Sequence, residues 1–332
     1  MDKKKIIILC VILVLLVAAA VLLAVFMPNI KMGINARKYN LQKADISVSA
    51  DRIYFLNTGG SDAILIESDG KFAMVDAAED NDNPRNFEGL KLTGYEDYVV
   101  DFVKKIAGDE NGRVELEFVL GTHAHSDHIG GFDTLIFDED ITVKTAYLRE
   151  YDEDRISEYE IESWDNKEVY EQMLDACKKR GVPVVSDISA EPFTFGSFTM
   201  QFINTEINPV EGRVGENENA VGLLIEKNGT KAFLSADINN YDGDEDRIAP
   251  AIGKVDLLKV GHHGHEGSST ENFINTLSPD IAVLTRGNAT PSAEPLKNLN
   301  RVNAAIYATG KYGEIIAEFT ENGIALFAGI AE

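Results

Sequence analysis

The sequence predicts a mixed α/β domain in which two β-sheets pack face to face with helices outside, preceded by one transmembrane helix. The order of elements carries the first part: short β-rich runs come first, and helices then alternate with strands. A hydrophobic content of 44% is enough for a packed core, and no segment rich in Pro, Gly or Ser divides the 332 residues. We therefore expect one domain after an apolar N-terminal run.

The N-terminal run has the length of a membrane span. Three lysines at positions 3–5 precede an unbroken apolar stretch over residues 6–26, which ends just before Pro28. As a helix this stretch is roughly 30 Å long, the thickness of a bilayer's hydrocarbon core. A cleaved signal peptide is the alternative, but its only small-residue motif, at residues 18–20, lies inside the run. We interpret residues 1–28 as an uncleaved signal anchor.

The lysines also predict an orientation. Basic residues before the helix favour a cytoplasmic N-terminus and an extracytoplasmic body, which makes the protein a single-pass protein of the cell membrane. Lys31, Arg37, Lys38 and Lys43, just beyond the helix, weaken this prediction. Residues 29–50 are polar and weakly patterned, so we predict a juxtamembrane linker there and a folded domain over residues 51–332.

The elements of the domain follow from local patterns. Short β-rich runs separated by Gly, Asp and Ser predict an antiparallel meander, and apolar residues at helical spacing predict helices. The predicted strands are 52–56, 63–66, 72–75, 116–120, 198–203, 221–226, 232–235, 256–260, 281–284, 315–319 and 324–327. The predicted helices are 98–106, 168–180 and 271–277. Residues 149–166 are dense in charge and predict an exposed insertion near the mouth of a site, or a plain solvated loop.

All six histidines fall in two short windows. The first window contains His123, His125, Asp127 and His128, directly after the predicted strand 116–120. Two histidines separated by one residue on an extended segment project to the same side, so His123 and His125 can share a metal ion. Asp127 and His128 offer an oxygen and a nitrogen to a second ion. Zinc accepts this mixture of donors, so we expect one or two Zn²⁺ ions, with another divalent metal as the alternative.

The second window follows another predicted buried strand. It contains His262, His263 and His265, and one of these histidines is expected to complete the second metal position. Between the windows, Asp237 stands directly at the end of a strand. A carboxylate in that place can bridge two metal ions.

These motifs resemble those of the metallo-β-lactamase superfamily. The string Gly261–Gly264 and residues 217–224 are similar to the branch that contains the hydrolase domain of competence DNA-uptake channels and the teichoic-acid phosphorylcholine esterases. The resemblance implies a four-layer αββα sandwich, classed as α/β or α+β. It also implies His123 and His125 on the first metal, Asp127, His128 and His262 on the second, Asp237 between them, and Asp76 as a structural residue beside the site.

One departure from the family pattern concerns the first metal position. Many members of the superfamily carry a further histidine before the bridging aspartate, but this chain has no histidine from residue 129 to residue 261. Asn219 stands near that place and is a weaker, neutral donor. We therefore expect Asn219, and less strongly His265, to be a third ligand or a substrate contact.

The expected activity is metal-dependent hydrolysis of a phosphodiester or related ester. A divalent metal lowers the pKa of a bound water to about 7, which makes a metal-bound hydroxide available as the nucleophile. Asp127 is expected to orient this water. His263 is expected to contact the phosphate or protonate the leaving group, or else to act as an outer hydrogen-bond partner of the metal site.

Partners are constrained by charge. The chain carries a net charge of −24, which repels polyanions, so nucleic acid is possible as a substrate but disfavoured. A small-molecule or cell-envelope ester is the favoured substrate, and the membrane is the other expected partner. A nuclease linked to DNA uptake and a non-catalytic metal-containing binding module remain alternatives. Trp164 and the tyrosines near it are weaker candidates for lining a choline or sugar pocket.

Overall fold

The computed structural model describes residues 3–81, 86–87, 90–91, 93–206, 214–288 and 290–331. In chain order the helices are α1 (Lys3–Asn35), α2 (Glu96–Ala107), α3 (Ser126–Ile129), α4 (Phe132–Phe137), α5 (Glu158–Ser163), α6 (Asn166–Arg180), α7 (Asp244–Ile252), α8 (Glu271–Leu277), α9 (Ala293–Arg301) and α10 (Thr309–Tyr312). Single 3₁₀ turns occur at Ala36–Lys38, Glu216–Asn219 and Gly261–Gly264.

The strands, in the same order, are β1 (Gln42–Ala44), β2 (Arg52–Phe55), β3 (Ala63–Ser68), β4 (Lys71–Ala77), β5 (Asn86–Phe87), β6 (Leu90–Lys91), β7 (Val114–Gly121), β8 (Ile141–Val143), β9 (Ala146–Leu148), β10 (Val184–Val185), β11 (Phe193–Phe195), β12 (Phe198–Ile203), β13 (Gly222–Lys227), β14 (Thr230–Leu234), β15 (Leu257–Lys259), β16 (Ile281–Leu284), β17 (Ala305–Ala308), β18 (Ile315–Thr320) and β19 (Gly323–Ile330).

Two large sheets form the centre of the domain. The first has the order β1-β19-β18-β2-β3-β4-β7-β9-β10, with β8 also paired to β7, and the second has the order β11-β12-β13-β14-β15-β16-β17. In the first sheet the pairs from β19 to β4 are antiparallel, whereas the edge pair β1-β19 and the pairs from β4 to β10 are parallel. In the second sheet the pairs from β11 to β14 are antiparallel and those from β14 to β17 are parallel. A separate hairpin joins β5 to β6.

Successive side chains along the strands point to opposite faces of the sheet, and this alternation places a core on each face. In β2 and β3, Ile53, Phe55, Ile64 and Ile66 point into a core shared with the second sheet. Their neighbours, such as Tyr54, point to the other face, into a core that includes residues of α2, α4 and α6. A third core lies between the second sheet and α7, α8 and α9. Because each sheet is covered on both faces, its strands are apolar at successive positions. The predicted αββα sandwich is therefore present.

Helix α1 precedes the domain and is exposed along most of its length. Its part Lys3–Leu23 is, by length and composition, the one helix of the described chain that is long and apolar enough to cross a membrane. None of that part is buried against the domain. The prediction of an apolar N-terminal helix is thus confirmed, while its insertion in a membrane stays a proposal.

The predicted linker over residues 29–50 differs from the structure. Helix α1 continues to Asn35, and β1 pairs in parallel with the C-terminal strand β19. Ala44, at the end of β1, is buried in the first core. This segment is folded onto the domain because its backbone adds a strand to the edge of an existing sheet and Ala44 packs into the core. Local amino-acid composition does not reveal this stabilisation.

Candidate metal centre

The candidate site lies where parallel strands of both sheets end. Asp76 is the second-to-last residue of β4, and the first histidine window follows β7. Asp237 follows β14, and the second window follows β15. In α/β sheets, ligands bind in crevices beyond the carboxyl ends of the strands. Since β4, β7, β14 and β15 all end at this crevice, residues distant in sequence meet there.

The backbone at the crevice is unusual. Asp76, Ala236, His262 and His263 all have positive φ, at 56°, 47°, 46° and 47°. Residues other than glycine adopt this left-handed region only when the surrounding structure holds them there, and such residues concentrate at functional sites. The three backbone segments that carry these residues therefore direct their side chains at the cost of local strain.

Ring nitrogens and carboxylate oxygens converge at the centre. His123 Nε2 lies 3.1 Å from His125 Nδ1, and His128 Nε2 lies 3.2 Å from His263 Nε2. Asp237 Oδ1 is 3.3 Å from His128 Nε2 and 3.4 Å from His263 Nε2. Asp127 Oδ2 is 3.6 Å from His263 Nε2. Two sets with ligand atoms within 4.8 Å of one another are His123, His128 and Asp237, and Asp127, His128 and His263.

The outward-facing nitrogens of three of these histidines are held by acceptors. His128 Nδ1 donates to Asp76 Oδ2 at 2.7 Å, and His263 Nδ1 donates to Thr285 O at 3.0 Å. The Thr122 hydroxyl donates to Asp76, so it accepts from His123 Nδ1 at 3.0 Å. Each Nε2 atom therefore points inward, which is how proteins orient histidines that bind metals.

The fourth histidine, His125, contacts a residue that the sequence did not single out. His125 Nε2 lies 3.5 Å from Glu160 Oε2, within ion-pair range. Glu160 belongs to α5, in the charge-dense segment 149–166, so this segment reaches the site, which is the first of its two interpretations and not the plain solvated loop. The Trp164 ring lies 6.3 Å from the His125 ring. Nothing in the local sequence marks Glu160 among its acidic neighbours, and only the fold identifies it.

His262 and His263 exchange their expected places. The prediction put His262 on the second metal, but His263 is the histidine that faces His128, Asp127 and Asp237. His262 Nε2 lies 3.8 Å from Asp237 Oδ2 and 3.3 Å from Asn217 Nδ2, and the side chain is 26% exposed. The left-handed turn sends adjacent side chains apart, and sequence spacing does not tell which one turns inward.

Asn219 and His265 stand at the margin of the centre. The Asn219 amide donates to Glu216, whose other oxygen accepts from the backbone N–H of Ala124, between His123 and His125. Asn219 thus supports the first histidine loop. The ring of His265 lies 5.1 Å from the ring of His262, and His265 is exposed. Ligand or substrate roles for Asn219 and His265 stay predictions.

A buried ion pair beneath the centre was also missed. Lys259, the last residue of β15, is fully buried and pairs with Asp62, in the loop between β2 and β3. Its Nζ also donates to Ala236 O at 2.9 Å and lies 3.6 Å from Asp237 Oδ1. Asp62 Oδ1 lies 3.5 Å from His263 Nδ1. The sequence signal for this ion pair was a lysine within the predicted buried strand 256–260, because buried lysines are rare unless they are paired.

The ionisable side chains at the centre strongly shift one another's pKa values. Burial, together with His128 and His125, holds the pKa of His123 well below its usual value. Burial opposes protonation of His128 too, but Asp237 and Asp76 outweigh it and raise the pKa of His128 well above normal. Burial alone would raise the pKa of Asp237, yet His263 and His128 hold it well below normal. Negative carboxylates and a positive imidazole are thus packed together. A metal cation bound there would replace the proton as the positive charge beside the carboxylates.

The donor set fits a divalent metal. Asp237 Oδ1 is buried without a hydrogen-bond partner, which is costly unless a cation or proton satisfies it. Imidazole nitrogens with carboxylates suit zinc, and they also suit iron or manganese. The described residues therefore provide a pre-oriented set of ligand atoms for at least one ion.

Comparison with known proteins agrees with this geometry. The β-lactamase superfamily domain matches residues 102–267, which is half of the chain and contains both histidine windows. The chain belongs to the metallo-β-lactamase superfamily. Within the superfamily, it is 24% identical over 213 residues to ComE operon protein 3 of Bacillus subtilis (strain 168), covering 61% of this chain and 25% of that protein. It is 25% identical over 115 residues to Recombination protein 2 of Haemophilus influenzae, covering 33% of this chain and 14% of that protein.

These relatives confirm the predicted resemblance to the competence-protein branch. The chain spans only a quarter or less of the length of either curated relative. Among solved structures, the metallo-β-lactamase fold protein YhfI from Bacillus subtilis matches with a TM-score of 0.47 and 13% identity, covering 78% of this chain and 95% of that chain. CmlA, a diiron β-hydroxylase from Streptomyces venezuelae, matches with a TM-score of 0.40 and 14% identity, covering 78% and 48%.

Proposed function

We propose that the protein is a membrane-anchored, metal-dependent hydrolase that cleaves a phosphodiester or a related ester, with zinc as its metal. The observation that carries the proposal is the centre itself, where histidine nitrogens and two carboxylates converge while the outward nitrogens are held in place. In this proposal His123, His125 and Asp237 hold one ion, and Asp127, His128, His263 and Asp237 hold the other. A cation bound there lowers the pKa of a water ligand and stabilises negative charge on ester oxygens.

Side chains at the mouth would bind and orient the substrate. Asp127 is 20% exposed on its side chain, so its carboxylate can accept a hydrogen bond from the attacking water. Burial lowers the pKa of His262 to about 4, so its ring is neutral at pH 7. The neutral ring accepts from Asn217 Nδ2 through its Nε2 and is 26% exposed, so this pair can contact a phosphoryl or carbonyl oxygen at the mouth. We therefore give His262 the substrate-contacting role that the sequence suggested for His263.

The surroundings of the centre favour a substrate with little extended negative charge. Glu160 lies beside His125 at the site, and the net charge of the chain is −24. A nucleic acid held there would extend over a strongly acidic protein after its first phosphate. A small-molecule or cell-envelope ester, exposed on the extracytoplasmic side if the N-terminal lysines set the topology, fits better.

A nuclease linked to DNA uptake is the second candidate. It is favoured by the similarity to ComE operon protein 3 and Recombination protein 2. Against it stand the charge and the short share of those relatives that this chain spans. A metal-binding module without turnover is the third possibility, and it predicts metal uptake without hydrolysis.

The test is hydrolysis by the full chain in detergent after zinc reconstitution. We expect cleavage of bis(p-nitrophenyl) phosphate or p-nitrophenyl phosphorylcholine that Asp237→Asn lowers by more than about 100-fold, since losing even an outer partner of a metal ligand costs about 10- to 100-fold. The control, Asp101→Asn, alters an exposed residue of α2 and should retain activity. Cleavage of single-stranded DNA in preference to both esters would favour the nuclease, and zinc uptake without any cleavage would favour the binding module.

A further inference from the structure

Helix α1 meets the domain at a single place. Lys3–Leu23 is not buried against the domain, and Pro28 is the first partly buried residue among the described side chains of the helix. Pro28 O accepts a hydrogen bond from Asn300 Nδ2 at 3.0 Å, and Asn35 is buried. Just after the helix, Ala36 O accepts from the Tyr307 hydroxyl at 2.7 Å. The membrane-type helix is therefore continuous with a segment that is docked on the domain, without a flexible linker between them.

This docking place lies at the edge of the second sheet opposite the candidate site. Asn300 is near the end of α9, and Lys38 Nζ donates to Asn303 O, just before β17 begins. We call this the base edge. Strands β14 to β17 are parallel, and the second histidine window, Asp237 and Thr285 follow the other ends of these strands. From Asn303 to Thr309 an extended strand covers roughly 20 Å, so the site and the base edge are separated by the height of the sheet.

Lengths place the base edge close to the bilayer. The candidate span Lys3–Leu23 has 21 residues, which as a helix roughly matches a 30 Å hydrocarbon core. Pro28 follows five residues later, about 7 Å further along the helix. A domain contact at Pro28 therefore lies at the depth of the lipid headgroups.

The distribution of basic and acidic residues between the two edges agrees with this geometry. Residues 28–44, around the docking place, contain four basic side chains and no acidic one, although the chain as a whole has a net charge of −24. At the site edge, Glu160 lies beside His125, and Glu266 is exposed on the loop of the second window. Anionic headgroups attract basic segments by about 1 kcal/mol per Lys or Arg near the surface, and they repel carboxylates. The segment 28–44 therefore suits contact with a bilayer, and the two acidic residues just before β15 and β16 at this edge, Asp256 and Asp280, are paired with Lys254.

We propose that the active site opens away from the membrane that holds α1, with the base edge resting on anionic phospholipid headgroups. The inference rests on the proposed anchoring and hydrolase activity, but it does not depend on which side of the membrane the domain occupies. Its consequence concerns the substrate: the scissile ester reaches the site from the aqueous phase or from a structure distant from the bilayer. A phospholipid in the same membrane cannot reach the centre.

The experiment reconstitutes the full chain in vesicles of three parts phosphatidylcholine to one part phosphatidylglycerol. Two single-label variants, Arg37→Cys at the base edge and Glu266→Cys at the site edge, are made in a Cys10→Ser background, since Cys177 is buried and does not label. Each carries a fluorophore, and lipids with a nitroxide on the headgroup serve as short-range quenchers. We expect several-fold stronger quenching at residue 37 than at residue 266.

A linker variant tests whether docking sets the orientation. Insertion of about ten Gly and Ser residues between Met27 and Pro28 lets the domain rotate relative to the span. Quenching at residue 266 should then rise toward that at residue 37. Equal or stronger quenching at residue 266 in the chain without the insertion overturns the orientation while leaving anchoring intact. Failure of the chain to float with the vesicles overturns the anchoring and the orientation together, and neither result bears on hydrolysis of soluble esters.

Discussion

At the scale of single residues, the candidate centre depends on paired roles. The inward nitrogens of His123, His128 and His263 are useful only because Thr122, Asp76 and Thr285 hold the outward ones. The network is formed by protein atoms alone, so the ligand geometry exists before an ion binds. Pre-orientation of this kind lowers the entropic cost of binding a metal.

The two adjacent histidines of the second window should behave differently. We expect His263→Ala to lose metal from the site, because His263 Nε2 faces Asp127, His128 and Asp237. His262→Ala should keep its metal and lose about 10- to 100-fold in kcat/KM, the value of a hydrogen bond to a charged group. Metal analysis and steady-state kinetics of both variants check this. Metal loss in His262→Ala with full occupancy in His263→Ala would reverse the assignment.

The buried pair of Lys259 and Asp62 should matter most when no metal is present. Lys259→Met leaves the Asp62 and Asp237 carboxylates close together in the interior, and removal of one partner of a buried pair costs about 3–5 kcal/mol. We expect a loss of this size in the free energy of unfolding, measured with urea in the presence of a chelator. The double variant Asp62→Asn with Lys259→Met should recover part of the loss, and a double variant no more stable than Lys259→Met would contradict the pairing.

The sequence predicts the ligand types of this centre better than their arrangement. Spacing within one loop was sufficient for His123, His125, Asp127 and His128, because four neighbouring residues share one turn. The order of His262 and His263 depends on backbone torsions that spacing does not encode. Asp62, Glu160 and Lys259 come from separate elements, and their roles arise only when the fold brings those elements to one crevice.

At the scale of elements, the insertion over residues 149–166 is part of the site. Ser157 caps α5 by accepting from the N–H of Glu160, and Glu160 in turn accepts from the N–H of Glu216. This chain of contacts ties the insertion to the 3₁₀ turn that supports the first histidine loop. The chain lacks the further histidine of many relatives, and α5 supplies a carboxylate beside His125 instead.

We expect Glu160→Gln to weaken metal binding at the position of His123 and His125. The amide cannot act as the anionic partner of His125 Nε2, and loss of such partners typically lowers metal affinity by about 10- to 100-fold. Competition with a chromophoric chelator measures the change. Glu158→Gln, an exposed residue of the same helix, is the matched control and should bind metal as the wild type does. Equal affinities in the two variants would show that Glu160 has no positioning role.

Several elements were not predicted from local patterns. Helices α7 and α9 have nine residues each, too few to show a clear helical period, and Ile248 and Leu299 find their partners only in the third core. Strand β17 has four residues, and its pairing with β16 defines it. Strand β1 is fixed by β19, which lies nearly 300 residues away in sequence. Tertiary contacts decide short elements of this kind, whereas long or strongly apolar ones, such as α1 and β7, are evident from sequence.

At the scale of the whole molecule, the apolar helix, the basic segment after it and the candidate metal ligands are arranged along the strand direction of the second sheet. The apolar helix and the basic segment 28–44 lie at one edge of the second sheet, the candidate metal ligands lie at the other, and the chain as a whole has a net charge of −24. Under the proposed function, this arrangement would hold a hydrolytic centre above a membrane and favour substrates that carry little extended negative charge. The superfamily scaffold alone does not define the substrate, because one fold supports many reactions.

The central claim is that these side chains form a metal centre, and metal content tests it most directly. The full chain would be purified without added metal, dialysed against metal-free buffer and analysed by mass spectrometry for zinc, iron and manganese, beside Asp237→Ala. The account predicts one to two ions per chain, chiefly zinc, and a marked loss in Asp237→Ala. A chain that retains no transition metal, even after incubation with each ion, would contradict the account.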